Sequence, residues 1–223
     1  MQNQPVFGTH SQQTDSVLAT NKVLRNTYLL LSATLLFSAM TAGLAMAMQI
    51  GQGTALILSL VGFGLIFAVH ATANSSKGLL MVFAFTGVLG AALGPMLNHY
   101  LALPNGSSLV MQALGGTALV FFTLSGYVLT TRKDFSFMGG FLMVGLVIMV
   151  VASLANLFFQ VPAASLAISS GIVLLMSGLI LFDTSRIIHG GETNYIRATV
   201  ALYLNIYNLF TSLLHLLGAF NDD

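Results

Sequence analysis

Seven long apolar segments follow one another along the chain, and they restrict the possible folds more than any other feature. Each has close to the ~20 residues that cross ~30 Å of hydrocarbon as an α-helix. Backbone polar groups in hydrocarbon must pair within the segment, and the runs lack the alternating polarity of barrel strands. The sequence therefore predicts an all-α membrane protein with seven transmembrane helices, at about residues 27–48, 54–73, 79–97, 108–131, 137–159, 164–188 and 196–218.

The composition supports lipid rather than water as the solvent of this chain. Only 6% of the 223 residues are charged and 56% are hydrophobic, whereas a soluble domain carries about 25% charged residues. The net charge of +1 gives no strong attraction for nucleic acid. The sequence has no cysteine, which excludes disulfides, thiolate metal sites and cysteine nucleophiles.

Polar ends flank a single membrane domain. Residues 1–26 are rich in Gln, Ser, Thr and Asn and lack the apolar stretch of a signal peptide. We therefore predict a flexible cytoplasmic tail over 1–26, a seven-helix domain over 27–218 and a short periplasmic tail over 219–223. No segment between the apolar runs is long enough for a further domain.

The basic residues predict how the chain is oriented. Positively charged loops stay in the cytoplasm. With seven crossings, every Lys and Arg falls on the side of the amino terminus, which is then cytoplasmic, and the carboxyl terminus is periplasmic. One crossing fewer or more would scatter these residues, which are Lys22, Arg25, Lys77, Arg132, Lys133, Arg186 and Arg197.

Polar side chains inside the last two apolar segments are the candidate functional residues, because ionisable groups are costly in lipid. Asp183 lies roughly 8 Å from the cytoplasmic end of the sixth segment. Asn205 is predicted to face it at similar depth from the seventh segment, and Asn208 shares the helix face of Asn205. Two roles for Asp183 are open, a local ion pair with Arg186 or a cation-contact and gating role. For the two asparagines, the structural alternative is hydrogen bonding between helices.

The remaining histidine and glycine patterns support no enzyme. His70, near the cytoplasmic end of the second segment, is either a hydrogen-bonded interface residue or a pH-sensing partner of Asp183. No histidine pair has metal-ligand spacing, and the sequence contains neither His-Glu-x-x-His, nor Gly-x-Ser-x-Gly, nor a phosphate-binding loop. We therefore predict a non-enzymatic protein without a cofactor.

Small residues in the third segment predict close helix packing. Gly90 and Gly94 are four residues apart, which lets helices approach closely, either inside the bundle or at an oligomer interface. Pro95 is predicted to bend or end the third helix.

Four stretches of the sequence resemble the Bax inhibitor (transmembrane Bax inhibitor motif) family. The run GAALGPML at 90–97 and the run ALGGTALVF at 113–121 resemble its two-part signature, and Phe182-Asp183-Thr184 and Tyr203-Leu204-Asn205 resemble motifs of its sixth and seventh helices. The resemblance implies a seven-helix bundle in the bacterial inner membrane, with the last helix central. The signature residues in this chain are Gly94, Pro95, Thr117 and Ala118.

The resemblance implies two functions. The strings at 22–28 and 188–200 are similar to a bacterial branch that modulates the FtsH protease, which implies a protein that binds and restrains FtsH in the membrane. Other family members leak calcium through a pore gated by two acidic residues on the last two helices. Asp183 matches the first acid and is a candidate calcium contact, but Asn205 is neutral at the second position. The alternative is therefore a pH-sensitive calcium or cation leak channel with a modified gate.

Overall fold

The computed structural model describes the backbone from residue 9 to residue 220 and the side chains from residue 18. Residues 1–8 of the predicted cytoplasmic tail and residues 221–223 of the predicted periplasmic tail lie outside this range.

Long α-helices make up almost all of the described chain. Seven stretches within it are long and apolar enough to cross a membrane, so the predicted all-α class and the predicted number of spans are confirmed. The third stretch consists of two helices, α3 and α4. The helices are α1 (Thr9–Ala47), α2 (Gln52–Thr72), α3 (Ser76–Ala92), α4 (Gly94–Leu101), α5 (Gly106–Thr131), α6 (Gly139–Phe159), α7 (Pro162–Ile188) and α8 (Tyr195–Ala219), with a short 3₁₀ helix at Ser136–Met138.

The first helix begins earlier than the sequence predicted. α1 starts at Thr9, so residues 9–26, which the sequence predicted as part of the tail, have a helical backbone. Once the membrane part of α1 is formed, each further residue adds a backbone hydrogen bond without a new nucleation cost. Val23 and Leu24 also pack against the hydrophobic core, which holds this extension in the helical conformation.

The third span is interrupted at Leu93, as Pro95 predicts. Pro95 lies in the first turn of α4, where its missing N–H costs no helical hydrogen bond, whereas a continuous helix would clash with its ring. Gly94 lies where α4 crosses α1: a Cβ there would be 2.8 Å from the Cβ of Ala45. Asn98 Nδ2 on α4 donates to the carbonyl oxygen of Met46 at 3.2 Å, so the two helices are also joined by a hydrogen bond.

The last helix is the centre of the bundle. α8 packs against α1, α2, α3, α5 and α7, and its buried side chains include Leu202, Tyr203, Leu209 and Leu214. The central position that the family resemblance implied is confirmed. α6 lies at the edge, packed against α7 and the 3₁₀ helix, and most of its side chains are exposed to the surroundings of the bundle.

The connections that carry the basic residues meet at one end of the bundle. Asn194 caps α8 by accepting from the backbone N–H groups of Ile196 and Arg197, and its Nδ2 donates to the carbonyl oxygen of Ala73 at 2.9 Å. His189 Nε2 lies 3.1 Å from the carbonyl oxygen of Arg132, which joins the α7–α8 and α5–α6 connections. We call this the basic end; it contains Lys22, Arg25, Lys77, Arg132, Lys133, Arg186 and Arg197.

Asp134 stabilises the connection between α5 and the 3₁₀ helix. Its Oδ1 accepts from the backbone N–H of Ser136 at 2.8 Å. Hydrogen bonding from Ser136 is the main cause that holds the pKa of the Asp134 carboxyl below its ordinary value. A lowered pKa in the folded state means that the ionised carboxylate stabilises this connection above its ordinary pKa of ~3.9, and that this contribution is lost as the pH falls.

Asn194→Ala is expected to lower the free energy of unfolding by about 1–2 kcal/mol, because it removes the cap of α8 and the hydrogen bond to Ala73. Thermal unfolding of the detergent-purified protein measures the change. Thr193→Ala is the matched control, since Thr193 is exposed. Equal melting temperatures for the two variants would contradict the capping role of Asn194.

Candidate functional site

Asp183 and Asn205 are in direct contact in the structure. The α7–α8 connection is short, so the two helices run antiparallel and place these residues at the same depth. Asn205 Nδ2 donates to Asp183 Oδ2 at 2.7 Å. Asn205 is only 4% exposed, and Asp183 is half-buried. A carboxyl group in hydrocarbon needs a polar partner, and the amide of Asn205 provides it.

Arg186 has other partners than Asp183. Its Nη2 donates to the carbonyl oxygen of Gly191 at 3.1 Å and lies 3.9 Å from Glu192 Oε2. The guanidinium also lies over the ring of Phe182, 5.5 Å from its centroid. The local Asp183–Arg186 ion pair, which the sequence left open, is therefore not observed, because the α7–α8 connection folds back and offers Arg186 partners nearer to the basic end.

His70 and Asn208 both bond to their own helices. His70 is exposed, and its Nδ1 lies 2.8 Å from the carbonyl oxygen of Ile66. Asn208 Nδ2 donates to the carbonyl oxygen of Leu204 at 2.8 Å. The structure therefore brings neither residue into a hydrogen bond with Asp183. Of the polar residues that the sequence singled out, Asp183 and Asn205 are the pair that meets.

The four signature residues contribute to helix shape and packing. Gly94 and Pro95 form the break between α3 and α4. Thr117 is buried in α5 and donates from Oγ1 to the carbonyl oxygen of Ala113 at 2.7 Å, whereas Ala118 is exposed. Within residues 18–220, no hydrogen bond links any of the four to Asp183.

A chain of hydroxyl groups next to Asp183 was not predicted. Tyr28 of α1 and Ser125 of α5 are joined by a hydrogen bond between their hydroxyls. Ser125 Oγ lies 3.3 Å from Thr184 Oγ1 on α7, directly after Asp183 in sequence. Serine and threonine are frequent in the apolar segments, so their presence alone gave no signal. Only the packing of α1, α5 and α7 shows which hydroxyls face each other.

A second set of hydroxyls joins the central helix α8 to α1 and α3. Tyr203 on α8 donates to the carbonyl oxygen of Thr86 at 3.2 Å and accepts from Ser38 Oγ at 2.7 Å. Tyr207, one turn further, donates to the carbonyl oxygen of Leu89 at 3.3 Å. The sequence showed both tyrosines as polar residues of the last span, without indicating their partners.

The pair of Asp183 and Asn205 offers little to a resident metal ion. In the part of the chain that the structure describes, no group of three or more His, Asp or Glu side chains could hold one. Calcium takes 6–8 oxygen ligands, and Asp183 supplies a single carboxylate whose Oδ2 already accepts from Asn205. The arrangement therefore suits a contact between helices.

A comparison with known protein families decides the family of the chain. The model of a family described as inhibitor of apoptosis-promoting Bax1 matches residues 20–222. The chain belongs to the Bax inhibitor family. The match includes all seven membrane-spanning stretches, Asp183 and Asn205, so the resemblance found in the sequence is confirmed.

Several curated bacterial proteins are similar to this chain along most of its length. "Modulator of FtsH protease YccA" of Escherichia coli K12 is 56% identical over 214 residues, which cover 96% of this chain and 97% of that protein. An uncharacterized membrane protein of Vibrio cholerae is 54% identical over 222 residues and covers 99% of both chains. An uncharacterized protein of Pseudomonas aeruginosa is 50% identical over 201 residues, 90% of each chain. The chain is therefore a multi-pass membrane protein related to a protein named as a modulator.

Proposed function

We propose that this protein resides in the bacterial inner membrane, binds an FtsH-type membrane protease and restrains it. The identity of 56% along 96% of the chain to a protein named as a modulator of FtsH carries the proposal. The positive-inside rule supports an orientation with the basic end in the cytoplasm. The amino-terminal part of α1 is then cytoplasmic, and the carboxyl end of α8 is periplasmic.

The shape of the fold supports a mechanism for the restraint. From Leu18 to Arg25, most side chains of α1 are exposed, although Val23 and Leu24 pack against the core. A processive protease on the cytoplasmic side can engage the chain end that precedes this segment. The helices behind it are packed around α8 and resist extraction. A chain that is engaged early and extracted slowly occupies the protease and slows the turnover of other substrates.

Binding is tested by co-purification from native membranes. We expect a proteolytically inactive FtsH to be recovered with the tagged full-length protein after solubilisation in mild detergent. Overproduction of the protein should also lengthen the half-life of an independent FtsH membrane substrate. Recovery of no FtsH, together with unchanged substrate turnover, would refute the proposed function.

The residues that precede Leu18 are expected to control the turnover of the protein itself. Deletion of residues 2–17 removes the chain end at which extraction would begin, so we expect a half-life at least several-fold longer in cells that contain FtsH. Pulse-chase labelling measures it. A Gly/Ser segment of equal length in place of residues 2–17 is the control and should restore degradation if length alone matters. An unchanged half-life after deletion would show that degradation begins elsewhere.

A cation leak, calcium first, is a second candidate function, because the resemblance places Asp183 at an acidic position of the family's leak pathway and Asp183 contacts the last helix through Asn205. Calcium flux into proteoliposomes tests it with wild type, Asp183→Asn and Asn205→Asp. We expect the pH dependence of the leak to differ between wild type, which has one carboxyl group at this contact, and Asn205→Asp, in which two carboxylates at this distance share a proton. The absence of flux in wild-type vesicles would remove this candidate.

A further inference from the structure

We propose that hydrogen bonds from α1 to three other helices form an anchor that makes extraction from the amino terminus slow. We call these bonds the α1 anchor; they involve Tyr28, Ser38 and the carbonyl oxygen of Met46. This inference rests on the proposed function, because it explains how an engaged chain restrains the protease before it is degraded.

The three bonds of the α1 anchor have partners on three different helices. Tyr28 bonds to Ser125 on α5. Ser38, which is 6% exposed, bonds to Tyr203 on α8 at 2.7 Å. The carbonyl oxygen of Met46 accepts from Asn98 on α4. Each bond therefore holds α1 to a separate part of the bundle.

The spacing of these bonds makes them break together. From Tyr28 to Met46 the helix rises by ~27 Å, nearly the whole ~30 Å of hydrocarbon. An α1 that stays helical while it is pulled along its axis separates all three pairs once it has moved by one turn of ~5.4 Å. Their contributions therefore add to a single barrier at the start of extraction, instead of being lost one after another.

Close packing protects the middle of the α1 anchor. A Cβ on Gly90 would overlap with the carbonyl oxygen of Ser38, and a Cβ on Gly87 would lie 2.6 Å from Phe37 Cε1. α3 therefore packs closely against the backbone of α1 at Ser38 and against the ring of Phe37 beside it. Ser38 and Tyr203 are both buried, so little lipid or water can reach their bond while α1 stays in place.

The next helix along the chain lacks such an anchor. The hydroxyls of Ser59 and Thr72 on α2 donate to the backbone of α2 itself, and His70 also contacts its own helix. Among the described side chains of α2, none is hydrogen-bonded to another helix. We therefore expect the removal of α1 to be slower than the removal of α2.

Side-chain substitutions in the α1 anchor test the proposal. We expect Tyr28→Phe and Ser38→Ala each to shorten the half-life in cells with FtsH about threefold, which corresponds to ~0.6 kcal/mol per bond between membrane helices. The double variant should show about a tenfold effect if the two contributions add. Ser32→Ala is the matched control, because Ser32 Oγ is exposed and donates to its own helix at the carbonyl oxygen of Tyr28. Its half-life should equal that of wild type.

Two further measurements separate the anchor from the proposed function and from general instability. Co-purification with inactive FtsH shows whether the variants still bind; failure of wild type to bind refutes the proposed function itself. Asn194→Ala lowers stability without touching the α1 anchor. The α1 anchor would be refuted if all variants bind FtsH but the double variant Tyr28→Phe/Ser38→Ala is degraded no faster than Ser32→Ala. It would also be refuted if the double variant is degraded no faster than Asn194→Ala.

Discussion

Replacing Gly90 by leucine is expected to prevent the protein from accumulating as a folded bundle. A Cβ at this position would overlap with the carbonyl oxygen and the hydroxyl of Ser38 and with the hydroxyl of Thr41. The obstructing atoms include backbone, so α1 and α3 would have to separate. Overpacking lowers the free energy of unfolding by about 1–3 kcal/mol and sometimes more. We expect the loss for Gly90→Leu to lie at or above the upper end of this range. Yield after membrane extraction and thermal unfolding in detergent measure the loss.

A glycine in open space provides the control for Gly90→Leu. A Cβ on Gly64 of α2 would meet nothing within 4 Å, so Gly64→Leu is expected to change stability by less than about 0.5 kcal/mol. A folded and equally stable Gly90→Leu protein would contradict the close crossing of α1 and α3. Since Gly90 and Gly94 both face α1 of the same chain, internal packing accounts for their four-residue spacing.

Asn205→Leu is expected to have the second largest effect. It removes the amide that donates to Asp183 Oδ2 and leaves the carboxyl group in an apolar interface without this partner. Loss of one partner costs about 1–3 kcal/mol for a neutral group and about 3–5 kcal/mol for a buried charge. We therefore expect a loss of about 3 kcal/mol, measured as the denaturant midpoint of the purified protein.

A double variant separates two costs of Asn205→Leu, the loss of the hydrogen bond to Asp183 and the change of packing at position 205. Asp183→Leu combined with Asn205→Leu replaces both partners by apolar groups, which is expected to recover most of the stability. Asp183→Asn alone should cost little, because the amide oxygen of asparagine also accepts from Asn205. If the double variant were as unstable as Asn205→Leu, the cost would come from packing and not from the unpaired carboxyl group.

The number of membrane spans and the contact of Asp183 with Asn205 could be predicted from the sequence for one reason. Both depend on lengths along the chain: a span needs a fixed number of apolar residues, and a short connection between α7 and α8 sets their register. The break at Pro95 follows from the chemistry of a single residue. Each of these features is local and needs no knowledge of which helices are neighbours.

The polar contacts between distant helices could not be predicted. Ser38 and Tyr203 are separated by 165 residues. The sequence does not show which hydroxyl on one helix faces which hydroxyl on another, because that depends on the packing. Arg186 lies between two acidic residues in the sequence, Asp183 and Glu192. The connection turns at Gly190, which has a φ of 76°, and this turn brings Glu192 close to Arg186. The start of α1 at Thr9 could not be predicted, because its polar composition is typical of a tail and the packing of Val23 and Leu24 on the core is visible only in the structure.

The hydrogen bonds between the connections at the basic end limit where a protease that translocates its substrate could begin to unfold the protein. A loop can enter a narrow translocation pore only if enough of it is free to pass through as two strands. Asn194 is hydrogen-bonded to the carbonyl oxygen of Ala73, and His189 to the carbonyl oxygen of Arg132, so these short loops are held in place. We therefore expect a protease that pulls from this face to begin at a chain end and not at one of these connections, and we expect the helix that follows that end to set the rate of unfolding.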